Sequence, residues 1–305
     1  MIDSSKSAPT VLDDVTVVMA AYNAEGTIAA SIESALNNLA CQIIVVDDGS
    51  TDQTANIARE LGADVVSQPN AGAAHARRTG LNLVQTSYVV ILDSDDLLTP
   101  ATRQLVQLIS AHPEAAVVGG RIRIRTSDGH LRGVGPSPAA RFSTVDLLKS
   151  PSSPWPPSAA IWRVDSLRKS SKLPIPSLNP RFAEDYELLL RASMVGSVLS
   201  IPEITCLYQS FGGKSSVAAV SALKSAELIR QHYATALDIS VTEWGVQKIH
   251  EDAAWRLFRA RSAEFGLRRA LMLSVESPSQ FVLVTMACFR RSYRRCRGAL
   301  RTTSA

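Results

Sequence analysis

The first 110 residues alternate short, wholly apolar runs with segments whose apolar residues recur every three or four positions. The runs at 15–20, 43–46, 65–66 and 88–92 are rich in β-branched side chains, which predicts strands that are buried on both faces. The segments between them, such as residues 72–84, have helical spacing. Alternating strands and helices of this kind predict an α/β domain with a parallel sheet.

The pattern after residue 110 is less regular. Residues 117–124 and 159–162 predict two more strands, and residues 184–195 predict an amphipathic helix. Prolines at 136–138 and 151–157 mark loops between these elements. Beyond about residue 216 the apolar spacing is helical to the end of the chain, which predicts a helical extension after the α/β domain.

The net charge of +4, from 32 basic and 28 acidic residues, comes from the end of the chain. The segment after Glu276 contains no acid and six arginines, and without these six the balance is −2: Arg290, Arg291, Arg294, Arg295, Arg297 and Arg301. Because the body itself is not basic, we expect no nucleic-acid partner.

Residues 281–289 are apolar and precede this arginine-rich stretch. The run is far shorter than the ~20 residues of a membrane span. The combination predicts a tail that lies on the anionic inner leaflet of the membrane. The alternative is a C-terminal helix that packs on the body and leaves its arginines in water.

The cysteines are few and lack the spacing of a zinc site, and the N-terminus is polar without a secretory apolar segment. Reduced thiols and a cytoplasmic location, peripheral on the inner face of the membrane, are the expectation. The four cysteines are Cys41, Cys206, Cys288 and Cys296.

Acidic residues follow two of the predicted strands, where ligands of open α/β sheets bind. Asp93 and Asp95 flank one serine, and two carboxylates so close repel each other unless a cation lies between them. Mg²⁺ and Mn²⁺ prefer carboxylates together with substrate phosphates. Asp47 and Asp48 offer acceptors for a base or a ribose. The alternative for both clusters is a solvated turn that caps the following helix.

Four sequence motifs occur together and in order along the first hundred residues. They are Val-Met-Ala-Ala-Tyr-Asn at 18–23, Val-Val-Asp-Asp-Gly-Ser-Thr-Asp at 45–52, Asn-Ala-Gly-Ala-Ala-His-Ala-Arg at 70–77 and Leu-Asp-Ser-Asp-Asp at 92–96. The ordered set resembles the family 2 glycosyltransferases over about residues 15–216. The resemblance implies the GT-A fold, a Rossmann-like, mostly parallel sheet flanked by helices, here with a C-terminal helical extension.

The resemblance implies a donor site at the first two strand ends. Ala20, Tyr22 and one or both of Asp47 and Asp48 would hold the nucleoside. Arg77 would lie near the diphosphate of the nucleotide sugar.

The resemblance also implies a metal site and a base. Asp95 would be the main ligand of Mn²⁺ or Mg²⁺, with Asp93 near the ribose or the metal. The Glu-Asp pair that opens the predicted helix at 184 resembles the family motif that carries the general base, which is Asp185 here. Glu184 would orient Asp185 or touch the acceptor. An acceptor hydroxyl needs such a base within hydrogen-bond reach.

Two further residues are hypotheses of their own. Where family members often carry arginine and histidine, this chain has Gln209 and no histidine, so Lys214 is expected to contact the diphosphate instead. Trp155 stands between prolines and is a candidate platform for the acceptor sugar, since sugars stack on aromatic rings. Packing of Trp155 against the core is the alternative.

These expectations divide the chain into segments. Residues 1–14 form a polar tail, and residues 15–216 form the GT-A domain. Within it, residues 15–125 would bind the nucleotide sugar and residues 126–216 the acceptor. Residues 217–305 form the helical extension with its basic tail.

The implied activity is inverting transfer of a hexosyl or N-acetylhexosaminyl group from a nucleotide sugar, a UDP-sugar foremost. The acceptor would be a hydroxyl of a glycan or a lipid-linked molecule in cell-surface polysaccharide or glycolipid synthesis. A nucleotidyltransferase is a second possibility, but it predicts a basic glycine-rich loop where residues 22–26 are acidic. A sugar-nucleotide-binding subunit without turnover is a third, and the intact Asp93, Asp95 and Asp185 argue against it.

Overall fold

The computed structural model describes residues 11–39, 42–135, 140–209, 218–266 and 269–270. Within these residues the chain forms one ten-stranded sheet with helices on both faces. The strands are β1 (Val15–Ala21), β2 (Gln42–Asp47), β3 (Asp64–Ser67), β4 (Tyr88–Ile91), β5 (Leu97–Leu98), β6 (Ala115–Arg125), β7 (Leu131–Val134), β8 (Arg141–Phe142), β9 (Ala160–Arg163) and β10 (Ser197–Gln209).

Nine α-helices lie in the part of the chain that is described. They are α1 (Ile28–Asn38), α2 (Thr54–Glu60), α3 (Ala73–Leu83), α4 (Thr102–Ala111), α5 (Thr144–Leu148), α6 (Val164–Ser171), α7 (Glu184–Ser193), α8 (Ala219–Ala236) and α9 (Val246–Phe265). None of these helices is long and apolar enough to cross a membrane.

The sheet has the order β3-β2-β1-β4-β9-β6-β10-β5, with β7 on β6 and β8 on β10. Strands β1 to β4 are mutually parallel, and so are β6 and β10. Strand β9 runs antiparallel between β4 and β6. Because β1 to β4 are parallel, their carboxyl ends, and the polar residues that follow them, meet at one edge of the sheet.

Alternate residues of each central strand enter the two cores that cover the sheet. Val17 and Met19 pack with α1 and α4 on one face, and Val18 packs on the other. These strands are buried on both faces, which is why their sequences are apolar throughout. The predicted α/β fold is confirmed, and its second half is a mixed sheet because β9 reverses direction.

Helix α8 shares the core of the α/β domain. Tyr233 is buried, and its hydroxyl donates a hydrogen bond of 2.8 Å to Glu187 and accepts one of 2.8 Å from Arg191. Ile229 also belongs to this core. The predicted division of the chain at residue 217 stays a prediction. The basic tail lies outside the described residues, and so do residues 1–10 of the predicted N-terminal segment.

Candidate functional site

The turns after β1 and β2 lock together at the edge of the sheet. The backbone amide of Asn23 donates to the Ser50 hydroxyl at 3.0 Å, and the backbone amide of Thr51 donates to the Asn23 side-chain oxygen at 2.9 Å. Asn23 has a φ of 48°, a left-handed conformation that asparagine tolerates better than most residues. The adjacent Tyr22 is 42% exposed, and Ala20 is partly buried in β1. The predicted nucleoside residues Tyr22 and Ala20 therefore lie beside this turn.

Asp47 and Asp48 have different surroundings, although both are buried. Asp48 accepts hydrogen bonds from the backbone amides of Ala71 at 2.9 Å and Gly72 at 2.8 Å, and from the Gln68 side chain at 2.8 Å. Asp47 accepts one from the Ser50 amide at 3.1 Å. Asp48 therefore shapes the connection from β3 to α3, and Asp47 shapes the turn after β2.

Arg77 lies between two carboxylates from distant parts of the chain. Its guanidinium forms an ion pair of 2.5 Å with Asp93, which follows β4, and another with Glu184, the first residue of α7. The Arg77 side chain is only 17% exposed. A charge so shielded from water interacts strongly with both partners. Arg77 therefore brings the predicted donor half and the predicted acceptor half into contact.

The turn after β4 concentrates negative charge. Burial and then the charge of Asp93 raise the pKa of Asp95 to about 6. Asp96 is fully buried, and burial with the charges of Asp93 and Asp95 raises its pKa well above the usual range. One carboxylate oxygen of Asp96 accepts a hydrogen bond of 2.8 Å from the backbone amide of Gln209. The guanidinium of Arg125 donates one of 2.8 Å to the backbone carbonyl of Asp95. Hydrogen bonds from Gln209 and Arg125 hold the turn in place, although its carboxylates repel one another.

The donor set of this turn fits a hard divalent cation. Asp93 and Asp95 offer carboxylate oxygens near each other, and Mg²⁺ or Mn²⁺ usually takes one or two carboxylates and completes its shell with phosphates and water. Among the described residues no group of three or more His, Cys, Asp or Glu side chains forms a preformed metal centre. The chemistry of Asp93 and Asp95 thus fits part of the ligand shell of such a cation.

Asp185 lies in the first turn of α7, next to Glu184. Helix α7 starts after Ala183, which has a left-handed φ of 62°. The Ser153 hydroxyl donates to Asp185 at 3.4 Å. Burial raises the pKa of Asp185, and the charge of Arg77 opposes this increase. Such a carboxylate is a stronger proton acceptor than one in water, as a general base requires.

A small cavity adjoins the Asp185 side chain, and Trp155 is among the residues that line it. The Trp155 ring is 5% exposed, meets Phe142 edge-on at 5.6 Å and covers Gly119. This packing is the alternative expected for Trp155, and its role in acceptor binding stays a prediction. The predicted diphosphate contact Lys214 lies outside the described residues.

Three residues near the carboxylates of the turn after β4 belong to no recognisable sequence motif and were not predicted. Ser158 accepts a hydrogen bond of 3.1 Å from the Asp93 amide, and Arg125 binds the Asp95 carbonyl. Burial, followed by the charges of the strand-end carboxylates, raises the pKa of Tyr208. These residues come from β6, β10 and the short 3₁₀ helix Pro157–Ala159 before β9, and only the folded sheet brings them to this turn.

Comparison with protein families shows that residues 16–169, half of the chain, match the glycosyl transferase family 2. Among curated proteins, the chain is 37% identical over 111 residues to the succinoglycan biosynthesis protein ExoU of Rhizobium meliloti, covering 34% of this chain and 31% of ExoU. It is 39% identical over 88 residues to the Escherichia coli UDP-Glc:alpha-D-GlcNAc-diphosphoundecaprenol beta-1,3-glucosyltransferase WfaP, covering 27% and 35%. The chain thus spans about a third of the length of these relatives.

Two solved structures share the fold. The first is S. aureus TarS 1–349 in complex with UDP-GlcNAc, with a TM-score of 0.55 at 18% identity over 88% of this chain and 78% of TarS. The second is the mannosyltransferase PcManGT from Pyrobaculum calidifontis in complex with GDP-Man and Mn²⁺, with a TM-score of 0.53 at 19% identity over 90% and 80%. At these identities the likeness supports the fold alone.

Proposed function

The chain belongs to the glycosyl transferase family 2, and from this premise we propose that it is an inverting glycosyltransferase that uses a nucleotide sugar. The observation that carries the proposal is the position of Arg77 between Asp93 and Glu184. These contacts hold the strand-end carboxylate of Asp93 and the start of α7 together. A donor diphosphate and an acceptor hydroxyl need that proximity in order to react.

The donor is proposed to bind at the carboxyl ends of β1, β2 and β4. Tyr22 and Asp47 would contact the nucleoside, while Asp48 keeps the Ala71–Gly72 backbone in place for it. Arg77 would pair with the diphosphate, and Lys214 is proposed to approach it from the other side. Two proteins of this fold were solved with UDP-GlcNAc and GDP-Man, which supports a nucleoside diphosphate sugar, a UDP-sugar foremost.

A divalent cation, Mn²⁺ or Mg²⁺, would be held by Asp95 and Asp93. When bound, it would neutralise the charge that develops on the departing nucleoside diphosphate. Asp96 would stay behind these two residues, since its contact with the Gln209 amide ties the turn to β10. The solved mannosyltransferase of this fold holds Mn²⁺.

Asp185 is proposed to accept the proton of the acceptor hydroxyl. The acceptor oxygen attacks the anomeric carbon from the side opposite the diphosphate, so a new carbon–oxygen bond forms as the bond to the diphosphate breaks. The anomeric configuration inverts, and the proton ends on the Asp185 carboxylate. Glu184 holds Arg77 near the base, and Arg77 would offset the negative charge that develops on the departing diphosphate.

The acceptor is proposed to be a hydroxyl of a glycan or of a lipid-linked molecule in polysaccharide or glycolipid synthesis. Relatives named for succinoglycan biosynthesis and for glucosyl transfer to a diphosphoundecaprenol acceptor support this class. Trp155 would border the acceptor site through the cavity next to Asp185. A cytoplasmic position at the inner face of the membrane follows from the proposed acceptor and from the basic tail.

A panel of nucleotide sugars with Mn²⁺ and glycan acceptors tests the proposal. Release of nucleoside diphosphate, together with a product whose anomeric configuration is opposite to that of the donor, is the expected result. Release of pyrophosphate from a nucleoside triphosphate would support a nucleotidyltransferase instead. Saturable donor binding without any release across the panel would identify a binding subunit.

A further inference from the structure

The hairpin formed by β6 and β7 extends from the same edge of the sheet as the candidate site. Arg125, the last residue of β6, donates to the Asp95 carbonyl at 2.8 Å. At the turn of the hairpin, Glu264 of α9 accepts hydrogen bonds from the Ser127 amide at 3.0 Å and from the Ser127 hydroxyl. The hairpin is therefore anchored at its turn end, where Arg125 reaches the Asp95 backbone.

A bulge in this hairpin aligns side chains that strand periodicity alone would separate. Val134 pairs with Arg123 and Leu131 pairs with Arg125, and the register shifts between these pairs. Gly133 has a φ of +52°, as expected for a glycine at a bulge. Since directly paired residues point to the same side and alternate residues of β6 share a side, these four side chains lie on one face.

This hairpin face, which consists of Arg123, Arg125, Leu131 and Val134, combines exposed apolar and cationic groups. Leu131 is 44% exposed and Val134 is 41% exposed, and Arg123 is also exposed. Residues 121–135 contain four arginines and one acid, Asp128. The face thus offers two aliphatic side chains beside the exposed guanidinium of Arg123, while the Arg125 guanidinium is held by the Asp95 carbonyl. The hairpin is basic, whereas the body of the chain as a whole is not.

We propose that the hairpin face docks on an anionic phospholipid bilayer. Exposed aliphatic side chains next to a cation on a basic hairpin match the interface of such a bilayer. There the aliphatic groups of Leu131 and Val134 enter the headgroup region, and the guanidinium of Arg123 pairs with a lipid phosphate. Through Arg125, docking would place the Asp95 turn close to the membrane surface. This inference rests on the proposed transfer to a lipid-linked acceptor, because such an acceptor presents its hydroxyl at that surface.

Sedimentation of the full chain with vesicles tests the hairpin face. The probes are vesicles of phosphatidylglycerol mixed with phosphatidylcholine, compared with phosphatidylcholine alone. We expect the wild-type chain to bind the anionic vesicles, and the double variant Leu131→Ser with Val134→Ser to bind them at least tenfold more weakly. Arg123→Gln should weaken binding roughly fivefold at low salt and reduce its salt dependence.

Two surface variants are matched controls. Leu36→Ser removes a side chain of similar exposure, 46%, from α1, and Arg59→Gln removes an exposed cation from α2. Both controls should bind vesicles like the wild-type chain. Donor turnover on a lipid-free acceptor should stay unchanged in all of these variants, because none of the substituted residues lies in the proposed catalytic machinery.

Two results would overturn the inference. If the hairpin variants bind anionic vesicles as tightly as the wild-type chain, another segment makes the membrane contact. If the wild-type chain binds neither kind of vesicle, no docking face of this kind exists. Nucleoside diphosphate release without lipid is measured separately, so a failure of docking is distinguishable from a failure of the proposed sugar transfer.

Discussion

The carboxylate of Glu184 forms an ion pair with the guanidinium of Arg77, a residue 107 positions earlier in the chain. Arg77 also pairs with Asp93, so one cation holds a strand-end acid and the start of α7 together. The side chains of all three residues are less than a third exposed. Charge pairs with such limited solvent contact are costly to break from one side, because the remaining charge loses its partner.

The first prediction is that Glu184→Gln lowers kcat more than it changes the donor KM. Glutamine keeps the size of the side chain but loses the charge that draws Arg77 toward α7. We expect kcat to fall about tenfold, which corresponds to about 1.4 kcal/mol of activation free energy. Steady-state kinetics at saturating donor measure the effect. In a double-mutant cycle with Arg77→Lys, fully additive losses would contradict coupling through this ion pair.

The second prediction separates the two adjacent acids Asp47 and Asp48. Asp48→Asn should lower the free energy of unfolding by about 2 kcal/mol, because its carboxylate accepts three hydrogen bonds in a buried position. Asp47→Asn should cost less stability and mainly weaken donor binding. Urea unfolding and donor titration of both variants check this. Equal losses of stability in the two variants would show that the hydrogen bonds of Asp48 do not stabilise the fold more than the one of Asp47.

The third prediction concerns the pH dependence of Asp95. Burial and then Asp93 raise its pKa from 3.8 to about 6, so the folded protein binds this proton more tightly than the unfolded chain does. Ionised Asp95 therefore destabilises the fold above pH 6, and the penalty disappears as the pH falls from 6 toward 3.8. Asp95→Asn should raise the free energy of unfolding of the metal-free protein at pH 7.5 by up to about 3 kcal/mol.

Thermal melts in a chelator at pH 7.5 and at pH 5 test the Asp95 prediction. The stabilisation by Asp95→Asn should be smaller at pH 5, where the wild-type carboxyl is largely protonated. A stabilisation that is the same at both pH values would mean that ionisation of Asp95 is not its cause.

The fourth prediction concerns Gly119, which lies under the Trp155 ring. A Cβ atom at this position would lie 2.1 Å from a ring carbon, so Gly119→Ala forces the indole to move. We expect a loss of about 1–3 kcal/mol in the free energy of unfolding. Gly26→Ala is the matched control, since a Cβ there meets nothing within 4 Å. Similar stability of the two variants would contradict tight packing of Trp155.

The parallel half of the fold was predictable because each strand there is an apolar run buried on both faces. Strand β10 was not predicted. Its sequence includes Pro202, which normally interrupts a strand, and the register with β6 shifts between Ser200 and Ile204 to accommodate it. The reversal of β9 has no local signal either, because strand direction follows from how the chain returns to the sheet.

The residues of the candidate site that belong to sequence motifs could be predicted. The contacts that join residues from distant motifs could not. Asp95 and Asp185 stand in recognisable segments, but the contact of Arg77 with Glu184 joins two such segments and appears only in the fold. The hydrogen bonds of Tyr233 with Glu187 and Arg191 were equally unpredictable, since these three polar residues come from two helices and meet only in the folded core. Sequence spacing alone does not specify such long-range partners.

The most direct test of the proposed activity is a comparison of donor binding and sugar transfer in Asp185→Asn. Isothermal titration with a nucleotide sugar and Mn²⁺ measures binding, and release of nucleoside diphosphate in the presence of an acceptor measures transfer. We expect donor affinity within about threefold of wild type and a loss of transfer of at least about a hundredfold, since a general base contributes 10²–10⁴-fold. Transfer at the wild-type rate in Asp185→Asn would contradict the assignment of the base.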